Sequence, residues 1–262
     1  MNYWSRTRKR IILSIVLFVV ILLVGVPLYL ILHTTPSCGD GVMNGDETGV
    51  DCGGSCQRLC NAESLPLVMN GDPRVLQIAT STFEVVSVFE NPNPQAEIYR
   101  AQYALKIYAA SSTLPIKTIE GHTFVPKRAT FAIFEGPFNL EAGVIPTRAS
   151  LEWQKDILVW RKNTETQPEL DITNKTLSSE NLSPRLEALV SNFSLESVSH
   201  VDLIALISDG DGNIFAASKT YIDTLAPGAS EPVVFSWPRA FLTKAVDITI
   251  LIRLFPDSTF IR

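Results

Sequence analysis

Residues 11–32 form a run of 22 residues without a single charged side chain. At about 1.5 Å per residue, a helix of that length spans roughly 33 Å, enough to cross a bilayer core of about 30 Å. A basic cluster, Arg6, Arg8, Lys9 and Arg10, precedes the run, and no Lys or Arg follows until Arg58. Cations flanking one end of a membrane span keep that end in the cytoplasm. The expectation is therefore a cytoplasmic basic tail (1–10), a transmembrane signal-anchor helix (11–32) and an extracytoplasmic remainder (33–262). A cleaved signal peptide is the rival reading, but its apolar core runs only about 7–15 residues and ends at a small-x-small site. Here His33-Thr34-Thr35-Pro36-Ser37 follows, with no such site and no lipobox before Cys38. Pro27 is tolerated inside a membrane helix at the expense of a mild kink.

The exported part sets the charge argument. All 27 acidic residues lie beyond residue 32, whereas four of the 22 basic residues precede it, leaving 18 against 27 and a formal net charge of −9. Such a surface repels nucleic acid and anionic membrane. Nucleic acid is excluded as a partner.

The four cysteines, Cys38, Cys52, Cys56 and Cys60, fall in a C-x13-C-x3-C-x3-C spacing, and none occurs later. An even, clustered set on an oxidising side reads as disulfides stapling a segment too short to build its own core. Three pairings are open. A zinc site is the alternative, disfavoured by the missing C-x2-C knuckle. The stretch CGDGVMNGDETGVDCGGSCQRLC resembles a short cysteine-rich module of secreted and cell-surface proteins, which implies a surface context rather than an activity. Its residues Asp40, Asn44, Asp46, Glu47 and Asp51 are hard oxygen donors, so calcium is one reading of this stalk module (33–64). Their spacing is not that of an EF-hand, and Asp and Asn beside glycine are also ordinary turn formers, which is the expectation adopted.

From residue 65 onward the pattern is short alternating strands. Tyr103, Leu105 and Ile107 alternate with Ala104 and Lys106, and Val246, Ile248, Ile250 and Ile252 with Asp247 and Thr249. Period two with β-branched and aromatic residues signals half-buried antiparallel strands. Turn clusters NPNP (91–94), DGDGN (209–213) and APG (226–228) separate the runs. An internal repeat emerges by laying Asn91 over Asn192 and Phe138 over Phe241. A period near 100 residues is too long for a solenoid and suits tandem β-sandwiches of immunoglobulin-like size, 66–161 and 167–258, joined loosely through Lys162–Thr166. The expected core is Tyr103, Leu105, Ile107, Phe131 and Ile133 in the first. In the second it is Val201, Leu203 and Ala205 with Val234 and Ser236 or, one residue out of step, Phe235 and Trp237.

ENPNP followed by IYRAQYALKIY resembles the water-stress-and-hypersensitive-response domain of late embryogenesis abundant proteins. The stretch from VSN through VDLIALISDGDGNIFAASKTYIDTLAPGASEPVVFSW resembles the related FxLYD-type domain, with Ser208 and Asp209 where that family often has Tyr and Asp. Both resemblances imply small antiparallel β-sandwiches, often exported or membrane-tethered, without known catalysis.

No catalytic motif stands out. His33, His122 and His200 are separated in sequence, and no H-E-x-x-H, G-x-S-x-G or P-loop pattern occurs. DGDGN is expected to be a hairpin turn, because a calcium loop begun at Asp209 would place Thr220 where a bidentate carboxylate belongs. Trp153, Trp160 and Trp237 lie in apolar runs and read as packing residues. Asn174, Asn181 and Asn192 each open an N-x-S/T sequon. The sequence thus describes an all-β, non-enzymatic, membrane-anchored cell-surface protein with a structural or binding role in the envelope. No catalytic, cofactor or metal residues are expected, and the partner is an envelope protein or a glycan. An accessory subunit of a secretion or transport assembly is the alternative, and an exported enzyme the third reading.

Overall fold

The computed structural model describes residues 3–32, 35–110, 112–154 and 158–256, so His33 and residues 155–157 lie outside the described residues. The chain divides into two compact units, Met1–Cys56 and Gln57–Arg262.

In the first unit, helix α1 (Tyr3–Val20) continues through a π-helical turn (Ile21–Gly25) into α2 (Val26–Leu32). Within it, Thr7–Tyr29 is long and apolar enough to cross a membrane. Pro27 accounts for the π turn. Its ring carries no N–H and crowds the carbonyl four residues back, so the ladder loosens just before it. The Val26 N–H accordingly donates to Ile21, five residues back. Beyond the helix, Cys38 and Cys56 are joined in a disulfide, and among the described residues no cysteine is free.

The second unit is built of antiparallel strands. In its first half, β1 (Val68–Met69), β2 (Arg74–Gln77) and β6 (Ala129–Asn139) pair with β3 (Thr82–Asn91). The facing sheet has β5 (Lys117–Val125) and β7 (Pro146–Trp153) on either side of β4 (Ala96–Ala109), whose first residues also pair with β8 (Arg161–Lys162). In the second half, β9 (Leu170–Ser178) and β13 (Ser230–Ser236) flank β10 (Arg185–Asn192). There β12 (Ile214–Leu225) and β14 (Asp247–Leu254) flank β11 (Val198–Ser208). Apart from β1 and β8, which have no counterpart in the second half, the pairing order is the same in both. Strands β7 and β14 lie 101 positions apart, as do Asn91 and Asn192. The second expected anchor does not hold. Phe138 pairs with Phe83 in the β3–β6 ladder, whereas Phe241 lies past the end of β13 and packs on Trp237 and Phe215.

Each half has its own core. Tyr103, Leu105, Ile107, Phe131 and Ile133 are buried together in the first. Val201, Leu203 and Ala205 are buried in the second with Val233, Phe235 and Trp237, so β13 takes the register one residue from Val234 and Ser236. Trp160 is buried and Trp153 packs against the first core, while the Trp237 Nε1 donates to the Ala217 carbonyl at 2.8 Å.

A third apolar cluster contradicts the expected loose coupling. Leu76, Val86 and Ala132 of the first half pack against Ile204, Leu206 and Ala217 of the second. Strand β11 is therefore buried on both faces, which is why VDLIALI is almost continuously apolar rather than alternating. The connecting segment is held as well. Lys127 Nζ donates to the Asn163 carbonyl at 2.9 Å and to the Glu165 carbonyl, and Asn163 Nδ2 donates to Glu97 at 2.9 Å.

Candidate functional site

The acidic residues of the cysteine module are spent on turns. Asp40 Oδ1 accepts from Val42 N–H at 2.9 Å, Asp51 from Gly41 N–H at 3.0 Å, and Asp46 from the Ser55 hydroxyl at 2.7 Å. The Asn44 side-chain amide first, and the Val42 N–H second, hold the Asp40 carboxyl below its ordinary pKa. Among the described residues, one group of side chains lies close enough to share a metal, Cys38, Glu47 and Cys56. Its two sulfurs are bonded to each other and offer no thiolate. Cys52 and Cys60 are likewise disulfide-bonded.

The DGDGN segment is the β11–β12 hairpin loop. Asp209 Oδ1 accepts from the N–H of Asp211 at 3.0 Å and of Asn213 at 2.8 Å. The positive φ falls at Gly212, with φ of 78°, rather than at Gly210.

The densest chemistry lies in a cleft of about 430 Å³ where the outer face of the β12-β11-β14 sheet diverges from the first half. Ligand pockets occupy about 300–1,000 Å³. Along β11 and β14, the side chains next to the apolar contact become polar: after Leu206 and Ile204 comes Asp202, and after Leu251 comes Arg253. Arg253 is 8% exposed, and its Nη1 donates to Thr123 Oγ1 at 2.6 Å and to the Ala132 carbonyl at 3.3 Å. Asp202 Oδ2 receives both Arg253 Nη2 at 3.3 Å and Lys219 Nζ at 2.7 Å. Burial pulls the guanidinium pKa down, and the Asp202 carboxylate pulls it up.

The opposite wall turns on a glycine. Gly121 faces Tyr103 across the β4–β5 ladder, and a Cβ there would lie 2.5 Å from the tyrosine oxygen. Without a side chain in the way, the ring lies across the strand and its hydroxyl donates to Glu135 on β6. Burial first, and the Glu135 carboxylate second, raise the Tyr103 pKa. His122 and His200, far apart in sequence, line this same cleft. His122 is held below its usual pKa by burial first and by the Arg100 charge second. His200 sits within β11 at a φ of 54°, a left-handed conformation costing about 1–2 kcal/mol for a side-chain-bearing residue.

None of these cleft residues was singled out from sequence as a site. Each sits in an ordinary strand pattern, and the packing of the two halves brings Tyr103, His122 and Glu135 of the first together with His200, Asp202, Lys219 and Arg253 of the second. The faint signals were Asp202 and Arg253, charged residues interrupting otherwise apolar strands.

No family model matches the chain, and no curated protein matches it. Among solved structures, red sea bream transglutaminase is similar with a TM-score of 0.21 and 10% identity, over 66% of this chain and 27% of that one. A beta-glucuronidase from glycoside hydrolase family 2 is similar with a TM-score of 0.21 and 12% identity, over 86% and 26%. The chain thus spans about a quarter of either structure's length, and likenesses this distant carry no argument about function.

Proposed function

We propose that this is a single-pass membrane protein that holds a non-catalytic binding body in the cell envelope, residues 1–10 being cytoplasmic and 33–262 extracytoplasmic. One observation carries the reading: the uncharged helical run 11–32, preceded by Arg6, Arg8, Lys9 and Arg10, is followed by cysteines that are all disulfide-bonded. Disulfides persist in oxidising compartments, and basic flanks stay cytoplasmic. The body is read as two tandem immunoglobulin-like sandwiches, 66–161 and 167–258, descended from one duplicated unit. The repeated pairing scheme and the matched Asn91 and Asn192 support that reading, as does the resemblance to water-stress-and-hypersensitive-response and FxLYD-type domains.

The cleft supports binding rather than turnover. Its tyrosine hydroxyl is held protonated, and Lys219 and Arg253 are committed to Asp202. The Tyr103 pKa is raised rather than lowered even though Glu135 accepts its hydroxyl, so the tyrosine is not an activated nucleophile.

Two measurements test this. Protease added to intact spheroplasts is expected to digest residues 33–262 and spare a short N-terminal fragment; protection of the large part overturns the orientation. A photo-reactive phenylalanine analogue introduced at Tyr221 is expected to trap an envelope component in cells. Absence of any adduct overturns the cleft as the binding site.

A further inference from the structure

We infer that the cleft between the two halves is a saccharide site, taking an uncharged, extended glycan. This rests on the reading of the cleft as the binding site and names its ligand class.

The charges decide first. Lys219 and Arg253 both converge on Asp202, so neither cation is left free to hold an anionic ligand. Glu135 and Asp223 add further carboxylates, and these repel an anion. A cationic ligand meets the matching obstacle, because Asp202 already holds two cations and Glu135 already accepts from Tyr103. A hydroxyl group suits both, since it donates to a carboxylate and accepts from an ammonium or imidazole N–H.

The apolar surface decides next. Tyr99, Phe124 and Phe255 form a row, with ring centroids 5.9 Å and 6.2 Å apart, Phe124 being buried and the Arg253 guanidinium lying 4.7 Å over the Phe255 ring. Tyr221 projects from the outer face of β12 at 66% exposed. Aromatic rings with a polar tip serve surfaces that are apolar on one side and wet on the other. The C–H face of a pyranose, rimmed by hydroxyls, is complementary to that arrangement.

The shape decides last. A second cavity of about 360 Å³ shares Phe124, Arg253 and Phe255 with the first and is lined further by Asn163 and residues 165–168. Two cavities meeting at one aromatic wall suit a linear chain of rings better than a compact metabolite.

The test uses the full-length protein in detergent on an array of neutral hexose and N-acetylhexosamine oligosaccharides, with sulfated and uronic-acid glycans alongside. Binding to neutral glycans is expected, weakened at least tenfold by Tyr221→Ala and by Asp223→Asn. Both positions are exposed, so thermal midpoints should stay within a degree or two of the parent. Failure to bind any neutral glycan, binding confined to anionic ones, or binding unaltered in both variants overturns the inference. If the cross-linker at Tyr221 nevertheless traps a carbohydrate-free protein, the glycan reading falls while the binding reading stands. If nothing is trapped either, both fall.

Discussion

The side chains of Asn91 and Asn192 make equivalent hydrogen bonds at the ends of β3 and β10. Asn91 Nδ2 donates to the carbonyls of Ala96 and Pro126, and Asn192 Nδ2 to those of Glu196 and Leu225. In both, Oδ1 accepts the backbone N–H two residues on, from Asn93 and Ser194, at 3.0 Å. One amide thus satisfies the start of the next strand and the end of the strand after that, groups that would otherwise be buried without partners. Alanine at either position should cost at least about 1–3 kcal/mol for each backbone group orphaned, read by urea denaturation. A smaller loss would show that water replaces the amide.

The same geometry decides the sequons. Asn192 is 0% exposed with its amide fully engaged, whereas Asn174 and Asn181 are exposed. Expressed in a glycosylating host, the protein should carry glycans on Asn174 and Asn181 alone. Glycopeptide mass spectrometry finding modified Asn192 would contradict its place in the fold.

Arg253 and Asp202 differ in what their removal leaves behind. Without Asp202 the buried guanidinium loses its counter-charge, which typically costs about 3–5 kcal/mol. Without Arg253, Asp202 keeps Lys219. The Arg253 Nε has no partner among the described residues, so the cation is only partly compensated as it stands. Asp202→Ala should therefore destabilise the protein more than Arg253→Met does. The reverse order in paired denaturation curves would refute this account of the cleft wall.

Glu84 gives a pH dependence with a definite sign. It lies half-buried on β3 between Phe83 and Val85, where the β3–β6 register shifts, and burial raises its pKa to about 7 from 4.5. The folded state then binds more protons than the unfolded state between those values, so stability falls as pH rises from 4.5 to 7. One pKa unit is about 1.4 kcal/mol, and the partial exposure reduces the total to about 1–2 kcal/mol. Glu84→Gln should raise the melting midpoint at pH 8 and leave it unchanged at pH 4. An equal shift at both pH values would point to packing instead.

Leu206 faces the first half, not the core of its own. Leu206→Ala should cost about 2–5 kcal/mol and lower the stability of both halves together, with one calorimetric transition before and after. Two separated transitions would mean that the interface contributes little.

Local pattern carried the apolar helix, the disulfide-bonded cysteines and the antiparallel β character, because length, charge and period two are properties of short segments. The inward set Tyr103, Leu105 and Ile107 was legible for the same reason. In β13 the parity stayed open between Val234 and Phe235, since a one-residue slip exchanges the faces and no neighbouring residue reveals which is taken. The contact between the halves and the cleft beside it were decided only by tertiary structure. Whether the apolar side chains of Ile204 and Leu206 meet Val86 and Ala132 depends on how two sheets pack, not on either strand. The placing of His122 and His200 in one cleft, and the bond of Arg253 to Thr123, follow from that packing, across more than seventy residues of chain in which no local interaction links them.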